Sequence, residues 1–179
     1  MAGYSISLTF EDVYTAVKPL IAAVTGLDPS LVIQGDPNRS AMPPAAPGFV
    51  EMLATVSGRI RTNIDRWDTT NPAPTSETIE QGTRIRIQLD CYGASAGDWA
   101  AMLSAILRDD AGCVALKPTC QPLYTDEPMQ APLDDGEAQY EQRWTLLTYL
   151  QYNPVVTAPM QFADELHATL IDVDVSYPP

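Results

Sequence analysis

The chain has 179 residues, enough for one domain with a sizeable core, and its 45 % apolar content is that of a folded protein. A formal charge of −13 at pH 7 argues against wrapping nucleic acid, because phosphate binding needs clustered Lys and Arg. No run approaches the ~20 apolar residues of a membrane span, and MAGYSISLTFEDVY lacks a basic start and an apolar signal core, so synthesis in a cytoplasm is expected.

The first helix is announced by Thr9 and Asp12, which fit a capping box, and by Val13, Val17, Leu20, Ile21 and Val24 at helical spacing up to Gly26. Pro19 is expected to kink or divide it. Asn38-Arg39-Ser40 matches a glycosylation sequon but has no secretory route to the modifying enzyme.

From Phe49 to Arg61, Val50, Met52, Ala54, Val56 and Ile60 alternate with Glu51, Thr55, Ser57, Arg59 and Arg61, the pattern of a strand with one wet face. GTRIRIQLDC repeats it: Ile85, Ile87, Leu89 and Cys91 point one way, Arg84, Arg86, Gln88 and Asp90 the other. The two strands are expected to pair. Between them, residues 62–82 are too long and polar for a tight turn. They read as a projecting arm or longer hairpin tip, mobile until Trp67 anchors it on a neighbouring subunit or other partner.

Ser95, with Asp98 three residues on, reads as the cap of a second helix, whose stripe is Trp99, Met102, Leu103, Ile106 and Leu107, ending near Gly112. Residues 118–137 read as an acidic, Pro-rich linker. In EAQYEQRWTLLTYLQYNP, Tyr140, Gln142, Trp144, Leu146, Thr148, Leu150 and Tyr152 share one face; the other becomes apolar at Leu147 and Tyr149 and needs a cover. Either helix 96–108 or a neighbouring molecule supplies it, with the Tyr140 to Trp144 end near a subunit contact; the alternative for Trp144 is plain core. With the closing LHATLIDVDV, the expected fold is α+β, an antiparallel sheet of at least four strands with helices on one face, forming a single domain over 1–179.

Catalytic motifs are missing: there is no G-x-S-x-G, phosphate loop, G-x-G-x-x-G or HExxH. Cys91, Cys113 and Cys120 lack CxxC spacing and read as buried small side chains, and His167 is the only histidine, so neither cofactor nor metal is expected. Asp126, Glu127, Asp134, Asp135 and Glu137 read as a solvated acidic loop; acting as a glycosidase carboxylate pair, they would make a carbohydrate-active enzyme, the third-ranked alternative. If the two Arg-bearing strands pair as expected, Arg59, Arg61, Arg84 and Arg86 share a face. Screening by Glu51, Asp90 or solvent is one reading. The sharper one is a basic patch that meets the acidic loop of the next copy head to tail, a contact that generates rings when it closes.

QLDCYGASAGDWAAMLSAILRD, PLYTDEPMQAPLDDGEAQYEQRW, LQYNPVVTAPMQFADEL and DVDVSYPP resemble, in order and spacing over about residues 80 to 179, the neck or tail terminator proteins of tailed bacteriophages. Where that family often has an Arg-Pro pair, this chain has Arg39-Ser40. The resemblance implies a structural virion protein, made in the host bacterial cytoplasm. It would assemble as a homo-hexameric ring on the tail tube, end tube growth and join the tail to neck and head-completion proteins, without enzyme activity or cofactor. Six copies at −13 each sum to −78, which suits a lumen through which genomic DNA passes without specific binding. Two alternatives stay open: a head-closure or tail-completion neck protein, and a single-stranded nucleic-acid binding module using the Arg face with Trp67 or Tyr92 as stacking groups.

Overall fold

The computed structural model describes residues 3–35, 43, 46–68, 76–131, 133–134 and 140–160. The closing LHATLIDVDV and the Asn38-Arg39-Ser40 sequon lie outside them. The fold is α+β, with three α-helices and two main sheets among the described residues. Strand β1 (Ser5–Ile6) leads into helix α1 (Phe10–Thr25), β2 (Val32–Gln34) and β3 (Phe49–Arg59). Strands β4 (Ile64–Asp68) and β5 (Ser76–Glu80) precede β6 (Thr83–Tyr92), and helices α2 (Ala96–Leu107) and α3 (Asp110–Leu116) follow. The chain then forms β7 (Gln121–Thr125), β8 (Met129–Gln130), β9 (Leu133–Asp134), β10 (Tyr140–Glu141), β11 (Arg143–Tyr152) and β12 (Val155–Pro159).

The larger sheet runs β2-β3-β6-β11-β7, with β8 also on β11; all its pairs are antiparallel except β2 with β3. Its central strands β3, β6 and β11 bury one face: Val50, Met52, Ile85, Ile87, Leu89, Cys91, Leu146 and Leu150 are all essentially inaccessible. Helices α1 and α2 cover that face with Val13, Val17, Ile21, Trp99, Ala100, Leu103 and Leu107. Burying each large aliphatic side chain contributes about 1.5–3 kcal/mol, which makes this layer the main source of stability. Gly48 belongs to the same layer: at φ 109° a Cβ there would come within 2.5 Å of the Tyr92 carbonyl oxygen and 2.9 Å of the Trp99 ring.

Several expectations change in detail. Helix α1 has the expected capping box, with the Asp12 N–H donating to Thr9 Oγ1 at 3.3 Å and the Thr9 N–H to Asp12 Oδ2 at 2.7 Å. It is not divided at Pro19, because Pro19 and Thr15, whose carbonyl loses its helical donor, are both exposed to water while Val17 and Ile21 hold the buried side. Ser95 stands at the N-cap of α2 without making a side-chain capping bond. The helix ends at Leu107, and Gly112 lies inside α3. Met102 turns out to water, and Ser104 is buried in its place.

The acidic linker contains β7, β8 and β9. Pro122 is accommodated because β7 pairs only with β11 and the register shifts there, between Tyr149 and Leu150. The segment 62–82 is likewise more than a loop. Strands β4 and β5 pair within it, and β5 pairs with β12, giving a second sheet in the order β1-β12-β5-β4. This sheet extends the larger one: the Ile60 N–H bonds the Gly82 carbonyl at 2.8 Å and the Gln81 N–H bonds the Pro154 carbonyl at 3.0 Å where the strands pass from one sheet to the other. The segment read as an arm or longer hairpin tip therefore supplies the antiparallel pair β4–β5, which β12 and β1 extend to four strands.

Ile87→Ala should lower the unfolding free energy by about 2–5 kcal/mol through the cavity it leaves. Met102→Ala, at an exposed helical position, should change it by no more than about 0.5 kcal/mol. Urea denaturation of the two variants checks that Ile87 of β6 lies in the layer between sheet and helices and that Met102 of α2 lies outside it.

Candidate assembly surface

Directly paired residues of a sheet share a face, so the register shows what stands opposite the helices. On β6 these are Arg84, Arg86, Gln88 and Asp90, and on β11 they are Gln151, Tyr149, Leu147 and Thr145, each opposite its β6 partner in that order. On β3 they are Leu53, opposite Gln88, and Glu51, opposite Asp90. Leu147 and Tyr149 thus lie away from α2, which covers the Leu146 and Leu150 side, and the expectation that helix 96–108 shields them is corrected.

Two regions divide this outer face. At one end a polar network surrounds the buried Asp90, which is only 3 % exposed. Its carboxylate accepts from Arg143 Nη2 at 2.8 Å, Thr145 Oγ1 at 2.6 Å and Gln88 Nε2 at 2.7 Å. The Arg143 guanidinium also lies over the Tyr92 ring at 5.6 Å, and Tyr92 stacks on Phe49. The hydrogen bond to Asp90 raises the Arg143 pKa further, and burial pushes the Tyr92 phenol up to about 12. The fully satisfied carboxylate is a clamp between β6 and β11. At the other end, Tyr149 stacks on Tyr124 of β7 with ring centroids 4.1 Å apart, and the Arg84 guanidinium lies 5.7 Å from the Tyr149 centroid. Tyr124 is 44 % exposed, so cation and aromatic rings form a surface cluster.

The four expected arginines are not brought together. A bulge in β3 between Ala54 and Val56 inserts one residue. Beyond it the alternation inverts: position 56 stands opposite Arg86, Ser57 opposite Ile85, and Arg59 opposite Thr83, on the helix side. Ile60, past the end of β3, is about half exposed. The bulge is held by Tyr14, whose hydroxyl accepts from the Ala54 N–H at 2.6 Å, and by Arg86 Nε, which donates to Thr55 Oγ1 at 2.7 Å. Arg61 lies beyond β3, paired with Glu80.

Only part of the acidic stretch falls among the described residues. Glu127 pairs with Arg108 at 2.9 Å, and Asp126 follows β7, its N–H bonded to the Leu147 carbonyl at 2.8 Å. The backbones of Asp134 and Tyr140 are register partners in β9 and β10, while Asp135 and Glu137 lie outside the described residues. Trp144 is half-buried on the helix-covered face, its indole so close to Gly97 that a Cβ there would meet it at 3.1 Å. Trp67, on β4, is 57 % exposed.

Neither the Asp90 clamp nor the Tyr124–Tyr149 stack is legible in the sequence. Asp90 looked like one polar position among four, and only the pairing of β6 with β11 reveals its partners. Tyr124 was hidden in a Pro-rich stretch. Among the described residues, no three His, Cys, Asp or Glu side chains are grouped to hold a metal, and no helix is long and apolar enough to cross a membrane. Burial pushes the Cys91 thiol up to about 12 and that of Cys120 to about 11, so both are protonated, unreactive packing groups at neutral pH.

The family model described as phage neck terminator protein matches the chain over residues 11–175. A search of curated proteins finds no match.

Asp90→Ala leaves the largely buried Arg143 guanidinium without its carboxylate and should destabilise the fold by about 2–4 kcal/mol. Glu127→Ala, at a surface pair, should change it by less than about 1 kcal/mol. Chemical denaturation of both variants checks the contrast.

Proposed function

Since the chain belongs to the phage neck terminator family, structural proteins of the virion neck that engage tail and head components, we propose that it is one subunit of a closed six-membered ring. The ring sits at the head-proximal end of the tail tube, ends its growth and presents a docking surface to the head-completion proteins. The family match carries this reading. Two features of the chain support it. A single copy carries an exposed Arg–Tyr–Tyr cluster on one sheet and an exposed Trp on another, surfaces that are different from each other and so suit head-to-tail contacts. The charge of −13 per chain gives the assembled ring a field that repels phosphate, which lets genomic DNA pass without being held. The chain acts here by shape and contact, and no catalytic step is assigned to it.

Electron microscopy of the purified protein mixed with tail tubes should show six-fold rings capping one end of each tube. Free monomers alongside bare tube ends, at protein concentrations well above that of the tubes, would contradict the proposal. Filter binding at physiological salt should detect no submicromolar affinity for single- or double-stranded DNA, which separates the ring from a nucleic-acid module.

A further inference from the structure

The small sheet has two unlike faces. Asp65, Ile79, Val156 and Ile6 form one row across its four strands. Trp67, Glu77 and Ala158 form the next row on the same face. The opposite face carries Arg66, Thr78, Thr157 and Ser5, with Arg66 and Arg61 both paired to Glu80. One side is thus mostly apolar with two carboxylates; the other carries Ile64 and Val155 beside Glu80 and is otherwise polar. A sheet with one apolar face ordinarily buries it against another layer. Here Trp67 is 57 % and Ile6 53 % exposed, although Ala158 on the same face is buried; among the described residues, the buried apolar side chains of the helices belong to the core of the larger sheet.

The larger sheet offers the complementary surface. Arg61, Arg66, Arg108 and Arg143 are committed to carboxylates of their own chain, whereas Arg84 and Arg86 form no ion pair among the described residues. Both stand on the outer face beside the Tyr149–Tyr124 stack and the half-buried Leu147. Asp65 and Glu77 likewise form no ion pair among the described residues. In a chain this acidic, a cationic, aromatic surface is scarce, and an apolar face edged by carboxylates matches it in charge sign and ring chemistry.

We propose that the Trp67 face of the small sheet of one copy docks on the Arg84–Tyr149–Tyr124 face of the next copy. Trp67 seats against the tyrosine stack, and Asp65 and Glu77 face Arg84 and Arg86. Donor and acceptor surfaces differ and lie on different sheets, so each copy uses one of each and the contact repeats around the ring. This inference rests on the ring reading above and identifies its repeating contact.

Two variants test it, both altered only at exposed positions. Asp65→Lys with Trp67→Ala disables the arm, and Arg84→Glu with Tyr124→Ala disables the platform. Unchanged thermal midpoints establish that each is folded. On tail tubes, either variant alone should need about 30-fold more protein than the native chain to form rings, the loss expected when a central aromatic anchor and its charge pair are removed. Mixed in equal amounts without tubes at high concentration, the two variants should give one-to-one dimers and no rings, because each keeps only one working surface. In a single chain, Asp65→Lys combined with Arg84→Glu should recover rings lost in Arg84→Glu alone. If the native protein forms rings and both variants form them equally well, the proposed contact is overturned while the ring stands. If the native protein forms no ring on tubes, the ring reading falls and this contact with it.

Discussion

Strand β6 is the element on which the rest of the structure depends. It is paired along its whole length on both sides, with β3 and β11, and four of its side chains, Ile85, Ile87, Leu89 and Cys91, are completely buried under the helices. A slip of one residue would carry all four to the outer face and bring Arg84, Arg86, Gln88 and Asp90 into an apolar layer. That exchange would cost many times the net stability of a domain, so the register has no competitor. The fixed register in turn sets Asp90 against Thr145 and next to Arg143, and sets Arg86 against Tyr149. The polar clamp and the aromatic platform are consequences of the burial on the other side.

Two departures from regular pairing then shape the surface. The bulge at β3 turns Arg59 away from Arg84 and Arg86, which lowers the density of like charge on the outer face and leaves an aromatic cluster with two cations in place of a four-arginine patch. The break near Gly82 and Pro154 separates the core sheet from its extension, so that the small sheet can carry Trp67 and Ile6 in the open without exposing the core. None of the fully buried residues comes from β4 or β5. The division places the apolar core in the larger sheet and leaves Trp67 and Ile6 exposed on the smaller one.

The sequence made the core legible because burial imposes a simple period. Val50, Met52, Ile85, Ile87 and Leu89 were identified from alternation alone, and Val13, Val17, Ile21, Trp99, Leu103 and Leu107 from helical spacing, and all are core residues. Alternation carries no mark of an inserted residue, so Ser57 and Arg59 read as lying on the outer face, whereas they stand opposite Ile85 and Thr83. Short edge strands with Pro122 or Pro128 beside them have neither the length nor the apolar content of a strand, so β7 and β8 read as linker. Met102 was misplaced because an apolar side chain at stripe spacing looks buried whether or not the helix turns it inward, and Ser104 shows that a small hydroxyl can occupy the core position instead. Of the proposed contact surface, Trp67, Arg84 and Arg86 are visible one by one, as aromatic and basic residues in a polar context. Their arrangement depends on cross-strand register and could not be read from the sequence.

Hydroxyl-radical footprinting of the chain, free in solution and assembled on tail tubes, tests most directly the proposal that the Trp67 face of the small sheet and the Tyr124 face of the larger one are its assembly surfaces. Trp67 on the small sheet and Tyr124 on the larger one should both lose most of their labelling on assembly, while exposed Val114 and Met102 on the helical side keep theirs. Equal labelling of Trp67 and Tyr124 in the free and assembled states, with protection appearing at Met102 and Val114, would contradict the account and place the contacts on the helices.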